Sequence, residues 1–170
     1  KILNWYDIHK RTLPWRKKIS LNKKQYYTLV SEFMLQQTQV ATVIPYFNRF
    51  IKYIPNLKVL AQYDDQKLIK LWEGLGYYSR VKNLKKTAQI IIKDFNKSLP
   101  DNLLDLKSLP GIGDYTASAI MAIAFNKPII PLDGNIERVL KRYLYLKNEN
   151  QIHKDNLIKQ KKIFGTSLRS

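Results

Sequence analysis

Cysteine is absent from the sequence, and only two histidines, His9 and His153, are present. Without thiols the chain forms no disulfide and offers no thiolate ligand to a metal. The two histidines are far apart in sequence and have no ligand-like neighbours. We therefore expect no zinc or iron centre held by these residues.

Acidic residues are also few, because 13 Asp and Glu face 30 Lys and Arg, which gives a formal net charge of +17. Such an excess favours a polyanionic partner, either nucleic acid or an anionic membrane surface. A lysine-rich compositional bias is the competing interpretation of the same number. Charge therefore favours nucleic-acid binding without establishing it.

Long apolar runs are missing as well. No stretch approaches the roughly 20 apolar residues that a membrane-spanning helix needs. Residues 1–5 do not resemble a signal peptide. No strongly cationic amphipathic helix with a bare apolar face is evident, which disfavours an anionic-membrane binder. We expect a cytoplasmic protein without a membrane partner.

Long alternations of apolar and polar residues are absent too, and apolar residues recur instead at spacings of three and four. Val81, Leu84, Ala88 and Ile91 follow this spacing, which is typical of one buried helix face. The pattern predicts an all-α protein. We expect helices near the first residues and over residues 40–53, 68–72, 81–95, 101–108, 117–124 and 136–145, and a basic loop over residues 11–24.

A glycine-rich turn over residues 109–113, Leu-Pro-Gly-Ile-Gly, separates two of these helices. Gly111 and Gly113 allow positive φ and the close approach of another backbone. The helix that follows begins with unpaired N–H groups and a positive dipole end, which suit a phosphate. The pattern predicts a helix–hairpin–helix motif over residues 105–125, although glycine turns also join helices for packing alone.

In this context the chain resembles the helix–hairpin–helix DNA glycosylases, and among them the adenine DNA glycosylases of MutY type. Order and spacing agree together along most of the chain. The matching stretches are Thr12-Leu13-Pro14-Trp15-Arg16, Ser31 to Val40, Gly74-Leu75-Gly76-Tyr77-Tyr78, Leu109 to Ala117, and Leu132 to Val139.

The resemblance implies a two-lobed, all-α fold with the active site in the cleft between the lobes. It implies that residues 1–170 form a catalytic core that removes adenine opposite 8-oxoguanine or guanine from double-stranded DNA. We expect a bacterial, nucleoid-associated monomer. The family's four-cysteine [4Fe–4S] cluster and C-terminal lesion-reading domain are expected only in a complete protein, because this chain has no cysteine. The start without Met and the tail over residues 141–170 suggest a truncated chain.

Glu32 stands in an apolar helical stretch, where desolvation raises the pKa of a carboxyl group. A helix-surface glutamate is an equally good interpretation of the residues alone. The resemblance implies that Glu32 is the acid that protonates adenine. It also implies that Asp133, which is well placed to cap the next helix, stabilises positive charge on the sugar. Asn135 matches a further polar contact of the pocket.

Tyr115 decides between subfamilies. The related endonuclease III-type glycosylase–lyases have a lysine at the matching position, which forms a Schiff base, and a phenol cannot do so. The resemblance therefore implies a glycosylase that does not cut the backbone. A bifunctional glycosylase–lyase and a non-catalytic helix–hairpin–helix DNA-binding module are the alternatives.

The remaining matches concern how a base leaves the duplex. A flipped nucleotide leaves a gap that an inserted side chain fills, and Gln37 and Tyr77 match the family's wedge positions. A solvated helix end and an ordinary loop aromatic are the alternative interpretations. Trp15 and Arg16 match a loop beside the pocket, where we expect the aromatic ring to pack on the base.

Overall fold

The computed structural model describes residues 2–143, with side chains from residue 4 onward, and this part of the chain contains no β-strand. The all-α prediction is confirmed. A short 3-10 helix at Pro14–Arg16 accompanies the α-helices. These are α1 Ile2–His9, α2 Leu21–Leu35, α3 Val40–Tyr53, α4 Leu57–Gln62, α5 Asp65–Trp72, α6 Ser79–Asp94, α7 Leu103–Ser108, α8 Asp114–Ala124 and α9 Gly134–Tyr143.

Helix α2 lies at the centre of the fold. It packs against the 3-10 helix, α3, α6 and α8, and every residue from Thr28 to Met34 is buried. A helix that is covered on all sides needs apolar residues all round, and Leu29, Val30 and Phe33 provide them. Glu32 belongs to this buried stretch of α2, so its carboxyl group lies in the interior.

Short polar side chains start several of the other helices. The side chain of Asn56 accepts a hydrogen bond from the N–H of Val59 at the start of α4. Asp64 does the same for α5, and Asn102 does so for α7. These Asn and Asp caps satisfy N–H groups that the first turn of a helix leaves unpaired. Local sequence thus sets where these helices begin.

The segment over residues 11–24 differs from the predicted basic loop. Leu13 and Trp15 are buried, and Pro14 begins the 3-10 helix between them. Helix α2 already starts at Leu21. The packing of these apolar residues holds the segment on the core despite its many lysines. The prediction of a loop was wrong for residues 14–16 and 21–24 and agrees with the structure for residues 11–13 and 17–20.

Other helix boundaries agree with the predictions to within three residues. Helix α7 begins at Leu103, α8 begins at Asp114 and α9 begins at Gly134, whereas the predictions began at residues 101, 117 and 136. Helix α4 was not predicted. The expected end of the last helix at Tyr145 and the expectations for the tail lie outside the described residues.

Candidate active site

Glu32 is held in the buried stretch of α2, and only 8% of its surface is exposed. Burial raises the pKa of Glu32 from 4.5 to about 7, and the positive charge of Arg16 opposes part of the rise. The predicted rise in pKa is confirmed. A carboxyl group with this pKa is partly protonated near neutral pH, so it can donate a proton and take one back.

Tyr115 connects this carboxyl group to a second one. It lies in the first turn of α8, directly after the hairpin, and 42% of its surface is exposed. Burial raises the pKa of the Tyr115 phenol, the charges of Glu32 and Asp133 raise it further, and Arg16 lowers it. Two carboxylates and an arginine from distant parts of the chain therefore all act electrostatically on this phenol.

Asp133 sits where the chain enters α9. Its Oδ1 accepts a hydrogen bond from the N–H of Ile136 at 2.7 Å, so the predicted N-cap is confirmed. The cap fixes the side chain at the N-terminus of α9. Asp133 is therefore a fixed negative charge beside Tyr115.

Asn135 has a different environment. It is exposed on the first turn of α9, and its Oδ1 accepts a hydrogen bond from Nη2 of Arg138 at 2.9 Å. Both residues belong to the same helix. A contact of Asn135 with the pocket stays a prediction.

Trp15 and Arg16 are adjacent in sequence, but their side chains have different environments. Trp15 is only 5% exposed, and its ring meets Phe47 edge to face at a centroid distance of 5.2 Å. The core covers most of this ring, and its packing on a base stays a prediction. Arg16 is exposed and lies close enough to Glu32 and Tyr115 to lower the pKa of both. Arg16 thus acts electrostatically on both groups, whereas the core covers the ring of Trp15.

The glycine-rich turn between α7 and α8 packs against the end of α2. A Cβ added to Gly111, which has φ +80°, would lie 2.8 Å from Phe33 Cε1. The side chain of Gln36 donates to the carbonyl oxygen of Gly111 at 3.1 Å, and Thr87 donates to that of Pro110 at 3.0 Å. The left-handed backbone and the close approach predicted for this turn are confirmed at Gly111.

Gly113 serves the turn in another way. Its φ of −90° is open to any residue, so the positive φ that a glycine allows is not used at this position. A Cβ added to Gly113 would meet no atom within 4 Å. The space beside the first N–H groups of α8 is therefore open, as a bound phosphate requires.

Gln37 and Tyr77 are both exposed and both stand on tight turns. Gln37 follows the end of α2 with φ 57°, and Tyr77 precedes α6 with φ 47°. Tyr77 is 62% exposed. Left-handed backbone is uncommon for residues other than glycine, so both exposed side chains stand on turns of unusual conformation. The geometry suits insertion into another molecule.

Arg80 is the residue that sequence reasoning missed. Its guanidinium group lies between the turns that carry Gln37 and Tyr77, and only 6% of its surface is exposed. A signal was present in the sequence. Arg80 is in phase with Leu84, Thr87 and Ile91 on the buried face of α6, and a charged residue in such a stripe needs internal partners.

The described part of the chain offers neither a membrane span nor a cluster of metal ligands. Between residues 2 and 143 no helix is long and apolar enough to cross a membrane. Within those residues no three His, Cys, Asp or Glu side chains form a group that could hold a metal ion.

Comparisons with known proteins agree with this geometry. A family model described as HhH-GPD superfamily base excision DNA repair protein matches residues 30–161. The chain is 47% identical over 151 residues to an adenine DNA glycosylase of Buchnera aphidicola subsp. Baizongia pistaciae, which covers 88% of this chain and 42% of the relative. It is 43% identical over 146 residues to the human adenine DNA glycosylase, and this alignment covers 83% of this chain and 27% of the relative. The chain thus spans less than half the length of these relatives.

Solved structures are similar along most of the chain. A thermostable thymine-DNA glycosylase matches with a TM-score of 0.84 and 26% identity, covering 98% of this chain and 76% of that chain. An endonuclease III in a non-covalent DNA complex matches with a TM-score of 0.74 and 20% identity, covering 93% and 73%. At such identity the second likeness concerns the fold alone. The predicted helix–hairpin–helix glycosylase fold is confirmed.

Proposed function

The chain belongs to the HhH-GPD superfamily of base excision DNA repair proteins, and we propose from this premise that it is the catalytic core of an adenine DNA glycosylase. The reaction is hydrolysis of the bond between adenine and its deoxyribose, without cleavage of the DNA backbone. One observation carries the proposal. Glu32 is a buried carboxyl group whose pKa burial raises to about 7, and its charge acts together with that of Asp133 on the phenol of Tyr115.

Glu32 begins the reaction as a general acid. Its proton passes to a ring nitrogen of adenine, and the electron pair of the glycosidic bond leaves with the base. The sugar carbon develops oxocarbenium character, which the fixed carboxylate of Asp133 stabilises. A water molecule then adds to this carbon, and its proton returns to Glu32. The products are free adenine and an abasic site.

Tyr115 and Arg16 shape the site around this acid. The phenol of Tyr115 forms no imine with the opened sugar, so the reaction ends at the abasic site. The charge of Arg16 stabilises the Glu32 carboxylate that remains after proton transfer. Arg16 thereby keeps the acid from becoming too weak to donate.

The substrate has to be presented outside the helix, because a stacked base hides the bond that breaks. Gln37 and Tyr77 are exposed on neighbouring turns, and we assign them to the gap that the flipped nucleotide leaves. The open space at Gly113 receives a backbone phosphate at the N-terminus of α8. The other basic residues of the +17 chain add diffuse phosphate contacts.

The partner is double-stranded DNA with adenine opposite 8-oxoguanine or guanine, bound by a monomer at the bacterial nucleoid. Residues 1–170 supply the chemistry of base removal. They do not fit an iron–sulfur cluster, because the chain has no cysteine. We place the ligands of such a cluster, and the domain that reads the opposite strand, in other parts of a complete protein.

A single-turnover assay tests the proposal. The 170-residue chain is incubated with a duplex that contains adenine opposite 8-oxoguanine, and the expected product is an abasic strand that breaks only after alkali. Glu32→Gln should bind the duplex and lose about 10²-fold or more in base release. Glu73→Gln, which changes an exposed glutamate, is the matched control and should keep the parental rate.

Two outcomes would contradict the proposal. Prompt strand breaks that borohydride traps as a covalent complex would assign the chain to the bifunctional glycosylase–lyases. Duplex binding without base release by the parent chain would indicate a non-catalytic binding module.

A further inference from the structure

The two turns that carry Gln37 and Tyr77 share an unusual backbone. We name residues 36–38 the Gln37 turn and residues 74–78 the Tyr77 turn. Each turn places a residue other than glycine in the left-handed region, with φ 57° at Gln37 and φ 47° at Tyr77. Such conformations persist only where surrounding contacts hold them.

One terminal nitrogen of Arg80 donates hydrogen bonds to the Gln37 turn and to the end of α2. Nη1 donates to the carbonyl oxygen of Met34 at 2.8 Å and to that of Phe33 at 3.3 Å. It also donates to the carbonyl oxygen of Gln36 and, at 3.0 Å, to Oγ1 of Thr38. The last carbonyl groups of a helix have no partner within the helix and carry its negative dipole end. Arg80 therefore closes the C-terminus of α2 and holds the turn that follows.

The other nitrogen grips the Tyr77 turn. Nη2 donates to the carbonyl oxygens of Leu75 and Gly76, each at 3.1 Å. The guanidinium carbon lies 5.5 Å from the centroid of the Tyr77 ring and 5.6 Å from that of Trp72. Trp72 Nε1 donates to Gly76 as well, at 3.1 Å. One planar group thus contacts both turns at once.

The positive charge of Arg80 is not paired with a carboxylate in the described part of the chain. No ion pair involves Arg80 within residues 4–143, and its buried Nε lacks a hydrogen-bond partner in that part of the chain. Carbonyl dipoles from two separate turns surround it instead. A lysine could not replace it, because an ammonium group offers its donors from a single atom, whereas a guanidinium group offers them from a rigid fork.

We propose that Arg80 is a positioning residue that sets the separation and orientation of Gln37 and Tyr77, so that the two side chains enter DNA as one rigid wedge. The insertion of this wedge rests on the proposed function. The rigidity does not, because it is a property of the free protein. Gln36 extends the connection, since its side chain bonds to Gly111 of the hairpin.

The rigidity can be measured without DNA. Because the chain contains no cysteine, Gln37→Cys with Tyr77→Cys gives two unique sites for nitroxide labels. Electron paramagnetic resonance then reports the distribution of separations between the labels through their dipolar broadening. We expect a narrow distribution in the Arg80 background and one at least about twofold wider in Arg80→Met, recorded well below the melting temperature of each variant.

Lys85→Met is the matched control on the same helix. Lys85 is also a largely buried cation of α6 that donates to a loop, at 2.6 Å to the carbonyl oxygen of Tyr63 and at 2.5 Å to Asp65. Its loss should lower the melting temperature and leave the distribution of label separations unchanged. If Arg80→Met does not fold, Arg80→Lys replaces it, and we expect an increased width there because the fork is lost.

A second measurement links the wedge to base extrusion. The probe is a duplex with 2-aminopurine at the position of the mispaired adenine, whose fluorescence rises when the base unstacks. Arg80→Met should lower the extrusion constant about tenfold in the parental background and less than about twofold in a Gln37→Ala, Tyr77→Ala background, since the positioned side chains are then gone. A purely structural role would lower extrusion equally in both backgrounds.

The outcomes are separable. An unchanged distribution of label separations in Arg80→Met, or in Arg80→Lys where that variant replaces it, would overturn the positioning role. So would equal losses of extrusion in the two backgrounds. Absence of both extrusion and base release in the parent chain would count against the proposed function, while the label distances would still decide the role of Arg80.

Discussion

At the scale of single residues, Glu32 links acid chemistry to stability. Its pKa rises from 4.5 to about 7 on folding, so folding favours the protonated form. The resulting stabilisation is fully present below pH 4.5 and is lost as the pH rises through 7. We therefore expect the stability of Glu32→Gln relative to the parent to increase by up to about 3 kcal/mol between pH 4.5 and pH 8.

Denaturant unfolding at several pH values measures this difference. Glu73→Gln, at an exposed position, should follow the parent at every pH and serves as the control. A difference between Glu32→Gln and the parent that does not change with pH would show that the carboxyl group is not perturbed by burial.

Arg16 acts on the same carboxyl group through space. Its charge lowers the pKa of Glu32, so Arg16→Met should raise that pKa further and move the alkaline limb of base release to higher pH. Because Arg16 is exposed, salt should weaken the difference between the variant and the parent. Single-turnover rates across pH measure the shift. Arg11→Met removes one exposed charge from the same segment and should leave the limb in place.

At the scale of elements, substitutions at the two glycines of the hairpin should have different effects, one mainly on stability and the other mainly on DNA binding. Gly111→Ala places a Cβ in the left-handed region and against Phe33, so it should destabilise the chain by about 1–3 kcal/mol. Gly113→Ala adds a methyl group to open space at the N-cap of α8, so it should cost less stability than Gly111→Ala, at most about 1 kcal/mol, and weaken duplex binding by crowding the phosphate. Thermal melts and duplex titrations of both variants check this. If Gly113→Ala binds the duplex with parental affinity, no backbone phosphate binds at this turn.

The start of α9 offers a similar separation. Asn caps a helix about as well as Asp does, whereas Ala does not. Asp133→Asn should therefore keep the melting temperature and slow base release, because the charge beside the sugar is lost. Asp133→Ala should lose about 1 kcal/mol of stability in addition. A parental rate in Asp133→Asn would limit Asp133 to its capping role.

At the scale of the whole molecule, the net charge of +17 predicts strongly salt-dependent duplex binding. Each neutralised phosphate releases counterions, so six phosphate contacts would give a log–log slope of about −5 between affinity and salt concentration. Nonspecific duplex titrations at a series of salt concentrations measure the slope. A flat dependence would identify the lysine excess as compositional bias.

Sequence by itself determined the features that depend on neighbours along the chain. Apolar spacing of three and four indicated the helices, and Asp133 was recognisable as a cap because capping needs only the next three residues. The glycine-rich turn was recognisable because φ and helix ends are local properties. The resemblance assigned Glu32 and Tyr115 to one site. No local pattern could indicate this, because the two residues are far apart in the sequence.

Only the tertiary structure decided which surfaces each side chain meets. Trp15 and Arg16 are adjacent in sequence, yet the core covers the ring of one and leaves the other beside Glu32. The guanidinium group of Arg80 contacts two turns that are about forty residues apart in the chain. Desolvation and hydrogen bonding depend on distances through space, and periodicity shows that a face is buried without showing what packs against it. The pKa of Glu32 and the shared anchor of Gln37 and Tyr77 are therefore properties of the folded molecule.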